Sequence, residues 1–265
     1  AAGSAVKMSP GDHAGTAAAI AQEIGILDRD ADLAQETLTG RHLERMSDEQ
    51  MSDAVDRVGV YARVTPEQKL RLVRALQANG HVVAMTGAGV NDAPALKQAN
   101  IGVAMGIGGT EVAKEAADMV LTDDNFATIK SAVEEGRGVF DNLMKFIVWT
   151  LPTNAGEGLV ILAAVATGAM LPLLPVHILW INMATAVLLG MMLAFEPREA
   201  DTMSRPPRDP SMPLLSRDLV MRVGLVSLLM LAGAFGLFKY ERISGADIDV
   251  ARTVAVNVFV FIECF

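Results

Sequence analysis

Two sets of residues in this 265-residue chain have the types and spacing to do chemistry. The first lies in Met85-Thr86-Gly87-Ala88-Gly89-Val90-Asn91-Asp92-Ala93-Pro94-Ala95-Leu96-Lys97. Residues 81–85 read as a buried strand and 86–90 as a tight turn on two glycines. Asn91 or Asp92 then caps a helix with Pro94 in its first turn. Such a strand–turn–helix sets backbone N–H groups, a helix N-terminus and a carboxylate at the carboxyl edge of a sheet. Phosphate and magnesium bind well there, because amides and the helix dipole attract the anion while Asp92 attracts the cation. By spacing alone, Gly87-x-Gly89 is half of a dinucleotide fingerprint that lacks its third glycine.

The second set sits inside apolar runs. Glu157 lies mid-run, with Asn154 three residues earlier on the same helix face. Pro152, just before them, frees backbone carbonyls of the preceding turn. Asn182 and Thr185 repeat the three-residue spacing, and Glu263 lies in the last run. A carboxylate inside a membrane is costly unless it faces a partner, water or an ion, so Glu157 reads as an ion- or proton-handling group, the alternative being a protonated acid bonded to a neighbour. Asn154, Asn182 and Thr185 are also of the kind that hydrogen-bond between helices.

The elements that must position these residues follow from a sharp change in composition. The chain is 51% hydrophobic with a formal net charge of −9. Residues 1–139 mix charged and apolar side chains, whereas 140–265 contain long apolar runs, so a soluble part precedes a transmembrane part. The acidic balance argues against a nucleic-acid partner. A single cysteine, Cys264, excludes an internal disulfide framework and a multi-cysteine metal site. The first residues carry no signal-peptide pattern, and both ends read as those of a fragment.

In the soluble part, strands are expected at 5–8, 58–62, 81–85, 101–105 and 119–121. Helices are expected at 14–26, 47–56 with Ser47 as cap, from Thr65-Pro66-Glu67 to Asn79-Gly80, from Asn91, and at 110–117. The alternation predicts a parallel, doubly wound, Rossmann-like sheet with ligands at the carboxyl ends of its strands. Three polar loops fall there: Pro10-Gly11-Asp12, residues 63–69 and residues 86–92. Taken singly, Lys69 is a solvated helix charge, Asp12 a turn or cap residue, and Asp123-Asp124 a polar loop.

In the second part, spans are expected at 143–169, 171–195, 219–238 and, cut short, 250–265, against the roughly 20 residues a bilayer needs. The first two form a hairpin across the short connector 168–175. Arg222 can snorkel near the start of the third. The loop between the second and third holds Arg198, Arg205, Arg208 and Arg217 while the hairpin connector holds no Lys or Arg, so that loop and residues 1–139 share the cytoplasmic side.

As a continuous string, residues 86–97 resemble the hinge motif of the P-type cation-transporting ATPases, Thr-Gly-Asp-Gly-Val-Asn-Asp-Ala-Pro-Ala-Leu-Lys, with Ala88 where the family has an Asp magnesium ligand. Val6-Lys7-Met8-Ser9-Pro10-Gly11-Asp12 is similar to the family's Thr-Gly-Asp segment, with Pro10 in place of Thr. Ala62-Arg63-Val64-Thr65-Pro66-Glu67-Gln68-Lys69 is similar to the segment that supplies a phosphate-binding lysine, and residues 101–126 match closely. The resemblance implies the carboxyl-terminal part of a phosphorylation domain, an α/β haloacid-dehalogenase-like fold, followed by an all-α transmembrane domain. It implies Lys69, Asp92, Asn91 and Asp12 as catalytic, Gly11, Asp12, Lys69 and Asn91 as cofactor-binding, and Asp92 as a Mg2+ ligand. ATP would bind in a domain outside this chain.

Pro152-Thr153-Asn154-Ala155-Gly156-Glu157 resembles the fifth membrane helix of calcium-pump-like ATPases. Residues 180–186 resemble the sixth, and Ile262-Glu263-Cys264 the eighth. Asn154, Glu157, Asn182, Thr185 and Glu263 then fall on cation-ligand positions, while Ala186 replaces an aspartate. This all-oxygen set suits a hard cation such as calcium rather than a soft one. The implied partners are the transported cation, the amino-terminal part of the same pump and membrane lipid, in a bacterial plasma membrane. The phosphorylated Asp-Lys-Thr-Gly-Thr motif is absent, so the fragment alone is expected to be inactive. Two alternatives stand beside this: a pump remnant that binds a cation or membrane partner without turnover, and an anchored soluble phosphatase. The second is disfavoured by the lack of an Asp-x-Asp motif.

Overall fold

The computed structural model describes residues 3–264, with the backbone alone at Ala186. Two units emerge, one up to Ala132 and one from Val133. Phe265, at the end of the expected fourth span, lies outside the described residues, as does the Ala186 side chain.

The first unit alternates short helices and strands. Helix α1 (Ala14–Glu23) buries Ala17, Ala18 and Ala21. Helix α2 (Leu33–Glu36) opens on Asp32, whose Oδ1 accepts the Ala34 N–H at 3.1 Å. Strand β1 (Thr37–Thr39) and helix α3 (Gly40–Arg45) follow. Helix α4 (Asp48–Val55) starts from a reciprocal cap: Gln50 N–H donates to Ser47 Oγ and Ser47 N–H to Gln50 Oε1, at 3.2 and 3.0 Å. Strand β2 (Val60–Ala62) leads into helix α5 (Pro66–Ala78), where Thr65 and Gln68 repeat that device. Buried Gln68 also donates to Gly40 O at 2.8 Å, fixing the start of α5 against the start of α3. Leu43, Met51, Val55, Tyr61 and Leu72 close the core that these elements share.

Strand β3 (Ala84–Gly87) runs into a 3₁₀ turn, Val90–Asp92, and helix α6 (Ala93–Gln98). Strand β4 (Ile101–Met105), helix α7 (Glu111–Ala116) and strand β5 (Met119–Leu121) complete the unit. All pairings are parallel, as expected, but the strands form two sheets rather than one: β1 with β2, and β3–β4–β5. The strand expected at 5–8 reduces to one bridge, Met8 to Val60. The strand expected at 81–85 begins at Ala84, because the Asn100 side chain takes the Val83 N–H and the Val83 carbonyl takes Asn100 and Ile101 N–H. Thr86 and Gly87 consequently pair with Val103 and Ala104 instead of turning. The sequence reading placed no element over α2, β1 or α3.

The second unit is helical. Helix α8 (Phe126–Thr167) begins in the first unit's residues and continues through Pro152. The second span is helix α9 (Pro175–Ile181), a π-helical turn at Asn182–Val187, and helix α10 (Leu188–Ala194). Helix α11 (Arg217–Ile243) is capped by Ser216, and helix α12 (Ile248–Glu263) by Asp247. Among the described residues three helical stretches are long and apolar enough to cross a membrane: Phe126–Thr167, Pro175–Ala194 and Arg217–Ile243. Helix α12, expected as a fourth span cut short, has 16 residues.

Lipid offers no hydrophobic drive between helices, so close packing of small residues must hold them together. Ala164, Ala234, Ala251 and Ala255 are accordingly fully buried, around Met230 and Phe259. Gly156 belongs to this contact. A Cβ there would lie 2.8 Å from Met230 Sδ, 3.1 Å from Met230 Cβ and 3.4 Å from the Phe259 ring, whereas one at Gly158 would meet nothing within 4 Å. Gly156→Val is therefore expected to destabilise the helical unit by about 1–3 kcal/mol, the usual cost of overpacking, and Gly158→Ala to leave it unchanged or firmer. Thermal unfolding in detergent measures both, and equal midpoints for the two variants would refute the packing argument.

Candidate functional site

The polar site of the first unit is assembled by the ends of β3 and α5. Lys69 stands one turn into α5, held there by the Thr65–Gln68 cap. Its Nζ donates to Asp92 Oδ1 at 2.7 Å, with side-chain exposures of 20% and 15%. Asp92 Oδ2 accepts the N–H groups of Ala88 and Gly89 at 3.2 and 3.1 Å. Asn91 or Asp92 was expected to cap the helix ahead, and Asp92 occupies the cap position without a side-chain cap bond. Instead its side chain turns back and ties the loop, because the 3₁₀ turn aims the two loop amides at it.

Burial opposes ionisation of Asp92, yet the Lys69 ammonium, then the Gly89 and Ala88 amides, together outweigh it and hold the carboxyl below its ordinary value. Lys69 and Asp92, 23 residues apart in the chain, are thus brought together. Asn91 and Asp12 are exposed and, among the described residues, bond to neither. The Pro10 carbonyl, beside Gly11, accepts the Arg63 N–H at 3.0 Å. Arg63 itself sits in the left-handed region at φ 54°, an uncommon conformation for any residue but glycine.

Asp124 is the residue that sequence reasoning missed. Read as part of a polar loop, it instead accepts the N–H groups of Gly106, Ile107 and Gly108 at 2.7, 3.0 and 2.6 Å. The Ile107 and Gly108 amides lead in holding it below the ordinary carboxyl value. The available signal was a glycine-rich loop, whose amides need acceptors, followed by two adjacent aspartates.

The second unit holds a buried polar cluster. Glu157 on α8 and Glu263 at the end of α12 are 5% and 4% exposed. They lie close enough to repel one another. Glu157 Oε2 accepts Asn182 Nδ2 at 3.0 Å. Glu157 Oε1 and Glu263 Oε2 are buried with no hydrogen-bond partner among the described residues. Thr185 neighbours Glu263 and gives its hydroxyl proton to Ile181 O at 2.7 Å.

Asn182 likewise bonds Ile178 O, at 3.1 Å. Both side chains thereby occupy carbonyls four residues back, where the ladder has widened into the π turn, a local form frequent at functional sites. Pro152 O is taken by Ser227 Oγ of α11 at 2.8 Å, and Trp149 Nε1 donates to Glu263 O at 3.0 Å, so α8 fixes both neighbouring helices. Asn154, by contrast, is exposed. Among the described residues no three His, Cys, Asp or Glu side chains converge as a metal cage. The cluster's donors are two carboxylates, an amide and a hydroxyl.

Comparison with known proteins places these features. The family described as "Cation transporting ATPase, C-terminus" matches residues 170–265, and that described as "haloacid dehalogenase-like hydrolase" matches residues 5–100. A "Probable cation-transporting ATPase F" of Mycobacterium tuberculosis is 67% identical over 264 residues, covering 100% of this chain and 29% of the relative. "Cation-transporting ATPase pma1" of Synechocystis is 48% identical over 259 residues, 98% of this chain and 28% of the relative. A "Calcium-transporting ATPase" of Bacillus subtilis is 50% identical over 216 residues, 82% of this chain and 24% of the relative. The chain thus spans less than a third of the length of these relatives.

The Lys69–Asp92 pair sets a pH dependence. A carboxyl held below its unfolded value stabilises the fold above that value, and the contribution is lost as pH falls through the folded value. Lys69→Met removes the strongest effect opposing burial and leaves the two loop amides in place, so the Asp92 pKa is expected to rise. Carboxyl-carbon NMR titration of labelled aspartate reads this directly. An Asp92 curve unmoved by Lys69→Met would mean that the ion pair does not set its ionisation.

Proposed function

This chain belongs to the cation-transporting P-type ATPases, and from that premise we propose that it supplies phosphoryl-handling and ion-handling residues of an ATP-driven pump for a hard cation. The observation that carries the reading is the buried pair Glu157 and Glu263, each with an oxygen that has no hydrogen-bond partner among the described residues. A carboxylate oxygen without a donor is expensive in a dry helical interior, and an oxygen-seeking cation or a proton relieves that cost. Glu157, Asn182, Thr185 and Glu263 offer oxygen only, which suits calcium or a comparable ion. Two carboxylates balance one divalent cation. Asn154 is included on the family resemblance alone.

In the first unit, Lys69 would neutralise phosphoryl oxygens and Asp92 would serve as a magnesium ligand. The fit is that of a single oxygen: Asp92 Oδ1 keeps a lone pair beyond its bond to Lys69, whereas Oδ2 already accepts from Ala88 and Gly89, and Ala88 offers a methyl group and no ligand. Magnesium, where bound, neutralises the charge of the transferring group. Lys69 approaches that group only by loosening from Asp92, so the pair stores the lysine in a satisfied state until an anion competes for it. Asn91, Gly11 and Asp12 would line the phosphate side. The protein would be embedded in a bacterial plasma membrane with residues 1–139 in the cytoplasm. A second reading, a pump remnant that binds a cation without turnover, is favoured by Ala88 and by an Asp92 already satisfied without metal.

Phosphorylation of the full-length protein by γ-labelled ATP tests both readings. Acid-stable, hydroxylamine-labile label that rises with one cation is the expected result, and Glu157→Gln is expected to abolish that cation's effect. Restoring the carboxylate with Ala88→Asp, together with Pro10→Thr, is expected to raise the rate on the order of a hundredfold, the scale of one regained charge contact in the transition state. Absence of label in both the parent and the double revertant would favour the non-catalytic reading. Label that ignores Glu157→Gln would remove that residue from the ion site.

A further inference from the structure

A second site lies at the end of α8 ahead of its apolar run, and it owes nothing to the carboxylate cluster. A cavity of about 530 Å³ is lined by Arg137, Phe140 and Asp141 of α8 and by Thr202, Arg205 and Arg208 of the loop before α11. Three guanidinium groups and one carboxylate, Asp141, belong to its lining, with the Asp201 carboxylate pairing to Arg205 beside it, so the lining carries net positive charge. The Arg208 guanidinium lies over the Phe140 ring at 4.7 Å, a stacked arrangement that holds it in place. Its Nη2 donates to Met212 O at 2.7 Å. Arg205 spends Nη2 on Asp141 Oδ2 at 2.6 Å and Nε on Asp201, at 3.4 Å. Among the described residues Arg205 and Arg208 each retain an Nη1 group for a further acceptor. The wall itself is stiff, since Arg137 Nη1 donates to Thr202 O and Arg205 O, both at 2.9 Å.

The surroundings identify what such a cavity would take. The loop continues from Arg208 into Met212, Leu214 and Leu215, which are 60%, 52% or close to that exposed, with Leu214 at 51%. On α8 the neighbours Val139 and Leu143 are 65% and 51% exposed. Apolar side chains thus stand in the open on both elements that carry the arginines, at the point where the apolar run begins. Free phosphate has no use for that apolar rim. A phospholipid has, because its acyl chains lie beside the rim while its headgroup enters the basic cavity.

We infer that this cavity binds the phosphate headgroup of an anionic phospholipid, with Arg205 and Arg208 as the headgroup ligands and Met212, Leu214 and Leu215 against its acyl chains. Basic pockets at the ends of membrane helices are suited to such headgroups, and planar guanidinium groups match phosphate oxygens in pairs. The site joins α8 to the loop between the second and third spans, so bound lipid would brace that junction.

The test is a titration of short-chain phosphatidylglycerol into the full-length protein in neutral detergent, with bound lipid counted by native mass spectrometry. Phosphatidylcholine of the same chain length, glycerol 3-phosphate and inorganic phosphate run in parallel. Phosphatidylglycerol is expected to bind more tightly than phosphatidylcholine, and less tightly as salt rises. Arg208→Gln is expected to weaken it about fivefold, the scale of one basic residue at a membrane surface, while Arg217→Gln, outside the cavity, changes it by less than about twofold. Phe140→Leu, which removes the ring beneath Arg208, is expected to weaken binding in the same direction. Equal binding of the two lipids by the unaltered protein overturns the proposal, whatever the variants do. Glycerol 3-phosphate or phosphate binding as tightly as the lipid overturns the lipid source, and equal losses for Arg208→Gln and Arg217→Gln reduce the effect to diffuse surface charge.

Discussion

Burying two carboxylates among membrane helices is the constraint around which the second unit is arranged. A helix in lipid must satisfy its own backbone, yet α8 carries Pro152 one turn before Glu157, and the second span gives up regular helix at Asn182–Val187. Side chains bind main-chain carbonyls in the neighbourhood of both irregularities. Ser227 takes the Pro152 carbonyl, Asn182 and Thr185 take the Ile178 and Ile181 carbonyls, and Trp149 takes the Glu263 carbonyl. Among the described residues, one buried oxygen on each glutamate remains without a hydrogen-bond partner, as does the Thr150 hydroxyl of α8.

The first unit solves a different problem with one repeated device. Short strands and glycine-containing loops leave amides without acceptors, and buried or half-buried amides need them. Asp92 accepts from Ala88 and Gly89, Asp124 from residues 106–108, and Asp118 from Gly102 at 2.8 Å. Three aspartates thereby shape loops that no hydrophobic contact could fix. Among the described residues, Asp92 is the one of the three that also forms an ion pair, with Lys69 at 2.7 Å. That difference separates a carboxylate with a chemical partner from two that serve as loop anchors.

Elements whose signals are local could be read from the sequence. Helices α4 and α5 announce themselves through Ser47–Gln50 and Thr65-Pro66-x-Gln68, and β4 and β5 through compact apolar runs. Lys69, Asp92, Glu157, Asn182, Thr185 and Glu263 could be named from residue type and motif, and the structure brings Lys69 to Asp92 and Asn182 to Glu157. Elements held by distant partners were not legible. Strand β1 has two threonines in three residues and exists because β2 pairs with it. The division into two sheets depends on which edges meet, a choice that periodicity does not encode. The direction of the Asp92 side chain was undetermined because the loop behind it and the helix ahead of it offered equally suitable amides. The π turn depends on side chains competing for carbonyls, which no propensity describes.

The loop before α11 shows how charge can do what apolar contact cannot at the boundary of a membrane. Its residues are mostly exposed, so burial contributes little to holding it. Its attachment is ionic and directional instead: Arg198 to Glu134 and Glu135, Arg205 to Asp141, Arg137 to two carbonyls, and Asn142 to the Ala194 and Glu196 carbonyls. Exposed ion pairs are individually weak, but these converge on about three turns of α8 and involve several main-chain acceptors. A loop held this way can be released in steps, one bond at a time, whereas a packed core opens all at once. An attachment that loosens by degrees suits a junction between spans, since small movements of α8 can reach the loop without unfolding it.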